Sequence, residues 1–196
     1  MLVPVFFATA AAAYKLPAPQ EGALSRRAAV SSSVAATLFT ALPALAAELK
    51  PCPKGSRNCF STASTDATKV ATWSFPKGAT RDAALKQLSA VVDGYPQEGQ
   101  SGVDLGGWSF ADDQFAATGY ARLEFKSGIG NLAKFFNGGK PFIDDLEFNV
   151  ESTGVCIRSA SRVGDSDFGV NAKRVNWIAN ELRQKGWDAP GVVSNS

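Results

Sequence analysis

The sequence predicts an α+β fold in which an antiparallel sheet of about five strands carries two main helices on one face. Two segments repeat apolar residues at helical spacing, and several shorter segments alternate apolar and polar residues as strands do. The later strands are joined by short connections, which favour antiparallel neighbours because a parallel pair needs a long crossover.

The first predicted helix follows a short strand at residues 69–75 and the turn at 76–78. Thr80 can cap the start of this helix, and Gly94 is placed to end it in the left-handed conformation. The apolar positions of the helix share one face: Leu85, Leu88 and Val92.

Two further strands are predicted at 102–110 and 116–126, with Asp112-Asp113 as the turn between them. The second strand alternates cleanly, with Ala121, Leu123 and Phe125 on one side and Tyr120, Arg122 and Glu124 on the other. One or two helical turns at 129–136 are expected to end at Gly138-Gly139.

A strand at 142–150 and a strand at 155–161 are predicted to pair as a hairpin. The candidate core residues of the first are Ile143, Leu146 and Phe148. The last helix has the clearest apolar repeat of the chain, at Val175, Ile178, Ala179 and Leu182. Gly186 is expected to end this helix, and residues 189–196 are predicted to be a frayed tail.

Residues 1–46 are predicted to be a bipartite targeting presequence. Residues 1–13 form a short apolar run like a signal peptide, and residues 25–46 contain Arg26-Arg27 before a second apolar stretch that closes with Ala44-Leu45-Ala46. Two successive signals predict delivery to the thylakoid lumen of a plastid. A bacterial-type periplasm is the alternative compartment.

The chain after the leader is expected to comprise an exposed arm at 47–68, a single α+β domain at 69–188 and the tail. Three of the 20 Lys and Arg residues and one of the 18 Asp and Glu residues precede Ala47, so the remainder is formally neutral. Nucleic acid is therefore not an expected partner, because phosphate binding needs an excess of basic residues.

The chain contains no histidine, which removes the commonest general base and excludes Ser-His-Asp and Cys-His hydrolases. It also lacks the phosphate-binding and dinucleotide-binding glycine motifs, so no cofactor is predicted. Three cysteines without histidine are one ligand short of a closed zinc site, and no metal is predicted.

Cys52 and Cys59 enclose six residues, among them Pro53 and Gly55. A disulfide is the favoured interpretation because export compartments permit it, and a redox-active pair is the alternative. Cys156 lies in a predicted strand and is expected to be a buried free thiol.

Three stretches carry a family resemblance: CPKGSRNCFST, FIDDLEF and IRSASRVGDSDFGVNAKRV. They resemble the hallmark segments of the family catalogued as domain of unknown function 1499, over about residues 49–182. The resemblance implies members in bacteria and in plastids, and it implies no settled biochemical activity.

A polar cluster in and beside the last hairpin is the candidate ligand-binding site. Its ligand-binding candidates are Arg158, Arg162, Asp144, Asp145, Asp165, Asp167 and Asn171, and the cluster also contains Ser159, Ser161, Ser166 and Arg174. It is either an anion pocket formed by arginines at a helix N-terminus or a salt-bridged corner that specifies the fold. Asp144 and Asp145 are adjacent on a strand and are expected to face opposite sides, so they cannot act together.

The favoured function is a non-enzymatic binding protein that serves the assembly or maintenance of photosynthetic membrane complexes. Such a role includes thylakoid membrane protein complexes as partners, peripheral membrane contact and an unidentified small-molecule ligand. The alternative is an enzyme or carrier that acts on an anionic or lipid-like molecule in a pocket of Arg158, Arg162 and Asp144.

Overall fold

The structure is a computed structural model that describes residues 48–99, 104–127, 135 and 137–194. Within these ranges the elements, in chain order, are β1 (Cys59–Ser61), β2 (Trp73–Ser74), α1 (Arg81–Asp93), β3 (Trp108–Gln114), β4 (Tyr120–Lys126), β5 (Ile143–Val150), β6 (Gly154–Ser161) and α2 (Val170–Arg183). The predicted helical turns at 129–136 lie outside the described residues, apart from Phe135.

The strands form one antiparallel sheet in the order β1-β6-β5-β4-β3, and β2 pairs with a second part of β6. The predicted hairpin of β5 and β6 is confirmed, with Val150 opposite Val155. The α+β fold class is likewise confirmed. The sheet has six strands rather than about five because Cys59–Ser61, assigned by the sequence to the arm, pairs with β6.

The sheet has one apolar face and one charged face. On β4, Leu123 and Phe125 are buried while Arg122 and Glu124 face the other side and stay partly exposed. Both helices contribute buried apolar residues to the core that covers the apolar face, among them Leu88 and Val92 of α1 and Val175, Ile178 and Leu182 of α2. This period-two alternation follows directly from strand geometry.

The predicted turn at Asp112-Asp113 is wrong, because both residues belong to β3 and pair with β4. A β-bulge between Phe110 and Asp112 lets the strand continue past them. The chain reverses instead at 115–119, where Gly119 has a φ of +87°. A side chain there would also meet Val150 O at 2.9 Å.

The arm and the tail are less exposed than the sequence predicts. Cys59 and Phe60 are each 2% exposed in β1, and Ala189, at the start of the predicted tail, is completely buried. Trp73 Nε1 donates to Pro190 O at 3.0 Å, which ties the tail to β2. Of the strand predicted at 69–75, only β2 (Trp73–Ser74) is formed. Apolar burial by distant parts of the chain explains both differences.

The helix boundaries agree with their capping residues except at one position. The Thr80 side chain accepts a hydrogen bond from Ala83 N at the start of α1. Gly94 has a φ of −79°, so the predicted left-handed end of α1 is wrong, whereas Gly186 beyond α2 does adopt a positive φ of +85°. None of the helices within the described residues is long and apolar enough to cross a membrane.

Candidate functional site

The polar residues singled out from the sequence divide between the two faces of the sheet. Asp144 lies on the helix-covered face and accepts a hydrogen bond from Arg174 at 3.1 Å. Asp145 lies on the opposite face and accepts from Arg162 at 2.8 Å. The two adjacent carboxylates therefore serve different networks, as the strand geometry predicts.

The inner network comprises Tyr95, Asp104, Asp144, Asn171 and Arg174. Arg174 is completely buried, and its guanidinium donates to Asp104 through Nη2 at 2.6 Å and through Nε at 3.2 Å. The remaining nitrogen, Nη1, donates to Asn171 Oδ1 at 2.7 Å. The charge is thus shared between two carboxylates and an amide, as a buried ion must be.

Aromatic rings enclose this network. The Arg174 guanidinium carbon lies 3.9 Å from the centre of the Phe125 ring, a cation–π contact. Tyr95 packs edge-on against Phe125 and Trp177, and its hydroxyl donates to Asp104 at 3.3 Å. The rings keep water from the ion pairs, which strengthens them and makes a missing partner costly.

The ionisation of the inner network reflects this burial. Burial raises the pKa of Asp104 above its ordinary value of 3.8, although Arg174 opposes the shift. Burial acts against the charge of Arg174, but the carboxylates of Asp104 and Asp144 outweigh it and hold the pKa of Arg174 above its ordinary value. Burial, reinforced by Asp104, also raises the pKa of Tyr95.

Asn171 and Asp167 join the inner network to the start of α2. The Asp167 carboxylate accepts from Gly169 N at 3.0 Å and from Asn171 N at 2.9 Å, and it thereby caps the helix. The Asn171 side chain accepts from Ser159 at 2.6 Å and donates to Asn58 O at 3.3 Å. The helix N-terminus is therefore occupied by the protein's own carboxylate.

The outer network lies on the opposite face of the sheet and comprises Arg122, Glu124, Asp145, Glu147, Arg158 and Arg162. Arg162 donates to both oxygens of Asp145 at 2.8 Å and also to Glu124, and these hydrogen bonds raise the pKa of Arg162. Arg158 donates to Glu147 at 3.0 Å. Both arginines of the predicted pocket therefore already have carboxylate partners.

A polar cleft lies beside the outer network. Residues 53–58 and 161–165 line it, and its volume is about 520 Å³. Asp165, one of the candidate residues, stands on its wall. We call this feature the loop cleft.

Comparison with protein families decides where the chain belongs. The family model described as "Protein of unknown function (DUF1499)" matches residues 48–182, which contain both networks and the loop cleft. The chain belongs to the DUF1499 family. No match was found among curated proteins, and none was found among solved structures.

The cysteines of this DUF1499 protein behave differently from one another. Cys52 and Cys59 form a disulfide, which confirms the favoured interpretation. Cys156 is free and partly rather than fully buried, with hydrogen-bond contacts to Glu151 and Thr72. Burial raises the pKa of its thiol, so the reactive thiolate is disfavoured.

The DUF1499 fold thus does not assemble the predicted candidate residues into one pocket. Arg158, Arg162 and Asp145 meet on the outer face, Asp144 and Asn171 meet on the inner face, Asp167 caps α2, and Asp165 lines the loop cleft. No group of acidic or cysteine residues that could hold a metal ion occurs among the described residues.

Sequence reasoning missed two members of the inner network. Asp104 and Tyr95 are 70 and 79 positions from Arg174 along the chain. Asp104 stands in the stretch 102–110 that was predicted to be a strand, and nothing in its local pattern distinguishes it from a surface carboxylate. The only signal was indirect: an arginine on the apolar side of α2 needs a buried carboxylate partner.

Proposed function

We propose that this protein is a non-enzymatic binding domain of the thylakoid lumen that serves the assembly or maintenance of photosynthetic membrane complexes. The leader at 1–46 motivates the compartment, and the disulfide between Cys52 and Cys59 suits an oxidising one. The ion pairs that Arg158 and Arg162 form with Glu147 and Asp145 motivate the non-enzymatic role.

The pairing of the candidate arginines carries the proposal. A catalytic pocket of Arg158, Arg162 and Asp144 would need free guanidinium groups and a carboxylate directed at the same substrate. Arg158 and Arg162 instead bind carboxylates at 3.0 and 2.8 Å, and Asp144 faces the other side of the sheet. These residues hold the sheet and its helices together, which leaves recognition to the surface.

The compartment is tested on protein recovered from the cells that make it. Amino-terminal sequencing is expected to find a start at or near Ala47, and protease treatment of intact thylakoids is expected to leave the protein undigested. Exchanging Arg26 and Arg27 for lysine keeps the charge but removes the receptor-read pair, so the variant should stay outside the lumen. Lys15→Arg is the control. Mature protein that starts well upstream of Ala47, or lies in the cytosol, contradicts this proposal.

The role is tested with Arg162→Ala. Arg162 is 40% exposed at its side chain, and a partly exposed ion pair contributes about 0–1 kcal/mol. We expect the variant to remain folded and to retain partner subunits in chemical cross-linking and native mass spectrometry of the membrane fraction.

The alternative function gives a different result in the same experiment. Arg158→Ala is the companion variant, because Arg158 belongs to the predicted pocket but not to the lining of the loop cleft. If both folded variants lose a small molecule that co-purifies with the wild type, the Arg/Asp pocket of an enzyme or carrier replaces the binding role. If the wild type brings down neither partner subunits nor ligand, the proposed role in membrane complexes is lost as well.

A further inference from the structure

The loop cleft has the dimensions of a site for a small polar molecule. Its volume of about 520 Å³ lies within the range of roughly 300–1,000 Å³ of small-molecule sites. One wall is the loop closed by the disulfide, and the other is the segment that follows β6. Polar and charged side chains dominate both walls, so an apolar ligand would find little surface to bury.

The two walls are fixed to each other before any ligand binds. The disulfide closes the first loop from Cys52 to Cys59. Asn58 belongs to the first wall and binds the second: its Nδ2 donates to Gly164 O at 2.7 Å, and its backbone carbonyl accepts from Ser161 N at 3.1 Å. The backbone carbonyl of Asn58 also accepts a hydrogen bond from the side chain of Asn171 in the inner network. A preformed cleft of this kind loses little conformational entropy on binding.

The charges of the cleft are unbalanced. Lys54 and Arg57 are exposed, and neither has an ion-pair partner among the described residues. Arg162, the third cation of the lining, is already bound to carboxylates of the outer network. Asp165 is the acidic residue of the lining. The cleft therefore presents more free positive than negative charge in a chain that is formally neutral after its leader.

We infer that the loop cleft binds an anionic group, a phosphate, sulfate or carboxylate, with Lys54 and Arg57 as its charged contacts. This inference rests on the proposed binding function and names the chemistry of one ligand. Arg57 offers a planar fork for two oxygens of the anion, and Lys54 offers a mobile point charge. The group belongs either to a soluble metabolite or to the headgroup of an anionic lipid.

Asp165 restricts which anionic ligands the loop cleft can bind. Its carboxylate repels the anion, so the cleft holds a ligand whose remaining part can donate a hydrogen bond, such as a hydroxyl group. Asp165→Asn keeps the shape and removes the repulsion. It should bind inorganic phosphate more tightly than the wild type, whereas variants of Lys54 and Arg57 should bind it more weakly.

The first experiment is a phosphate titration of the oxidised full chain, followed by amide NMR, with ionic strength held constant by sodium chloride. We expect saturable shifts at the amides of Ser56, Arg57 and Gly164. Lys54→Ala and Arg57→Ala should each weaken binding about tenfold, the effect of losing a contact that contributes about 1.4 kcal/mol. Lys77→Ala and Lys185→Ala remove exposed charges elsewhere and should bind like the wild type.

The second experiment identifies the source of the anion. Vesicles of phosphatidylcholine, with or without phosphatidylglycerol, are sedimented with each variant. Recruitment that requires phosphatidylglycerol, Lys54 and Arg57 assigns the site to a lipid headgroup. Saturable phosphate binding without recruitment assigns it to a soluble anion. Either result supports the inference.

Two results would overturn it. The phosphate shifts could be unsaturable, or the Lys54 and Arg57 variants could bind phosphate and vesicles as the Lys77 and Lys185 controls do. In both cases cross-linking of the same variants still tests the proposed role. If partner subunits are recovered with variants whose cleft binds no anion, the proposed binding function is supported although the anion site is not. Loss of those subunits in the wild type instead defeats the proposed function alone.

Discussion

Arg174 of α2 and Asp104 form a two-pronged ion pair inside the protein, with Nη2–Oδ1 and Nε–Oδ2 distances of 2.6 and 3.2 Å. Arg174 is fully buried and Asp104 is 2% exposed. The pair fixes the segment before β3 to the last helix, and it makes the stability of the fold depend on a charge that water cannot reach.

Replacing Arg174 with methionine should cost about 3–5 kcal/mol of unfolding free energy, because the change strands two carboxylates beside the core. Urea unfolding followed by circular dichroism measures the loss. Lys173→Met, the exposed neighbour on the same helix, should change stability by less than about 0.5 kcal/mol. Equal effects of the two variants would mean that the buried pair contributes nothing.

The pH dependence of stability should identify Asp104. Burial raises its pKa above 3.8, so the folded protein takes up this proton at a higher pH than the unfolded chain does. The stability that this group contributes therefore increases as the pH falls through the folded pKa, and it levels off below the unfolded value.

Asp104→Asn removes that titration and should cost less than Arg174→Met at neutral pH, because it leaves Arg174 bound to Asp144 and Asn171. Urea unfolding across a pH series should show the wild type gaining stability relative to this variant on acidification. The exposed substitution Asp93→Asn controls for the loss of one carboxylate. An opposite slope would mean that attraction to Arg174 lowers the pKa.

Removing the disulfide should destabilise the domain. Cys52 and Cys59 are separated by seven positions, and closing a loop of that length stabilises a fold by about 2–3 kcal/mol. We expect the double serine variant to unfold at a lower temperature than the wild type and to be insensitive to reductant. Cys156→Ser should respond to reductant as the wild type does. A wild type that keeps its Tm under reduction contradicts the prediction.

The backbone at Phe168 is strained. Its φ of +55° lies in the left-handed region, and its side chain is 69% exposed, so little packing compensates. Phe168→Gly should raise the unfolding free energy by about 0.5–1 kcal/mol. Val163→Gly is a matched change in the same exposed segment at an ordinary φ and should lower it by a similar amount. Unfolding in urea measures both, and two changes of the same sign would refute the strain.

Those parts of the core could be predicted that depend on residues close together in the sequence. Leu123 and Phe125 alternate with charged residues on β4, and Val175, Ile178 and Leu182 repeat at helical spacing on α2. The burial of these side chains therefore follows from the spacing of apolar residues alone. The hairpin of β5 and β6 was equally accessible because its turn is short. For the same reason the opposite orientation of Asp144 and Asp145 could be stated in advance.

The incorrect and missing predictions have a common cause, which is contact between residues far apart in the sequence. β1 gains its place from pairing with β6, about 100 positions further along the chain, and its three residues carry no pattern of their own. Asp112-Asp113 looked like a turn because aspartates are frequent in turns, but a β-bulge and the partner strand override that preference. Asp104 met Arg174 only after the whole sheet had formed.

By itself the sequence determined the fold class, the orientation of alternating side chains, the membership of the family and the disposition of Cys52 and Cys59 toward pairing. Those properties depend on nearest neighbours and on residue type. Tertiary structure decided which charges are buried together and why Arg158 and Arg162 are bound to carboxylates. It also decided where the loop cleft lies, with Lys54 and Arg57 in its lining and no ion-pair partner for either in the part of the chain that the structure describes. The energy of an ion pair depends on the distance between its charges in space, and the local pattern of residues does not determine that distance.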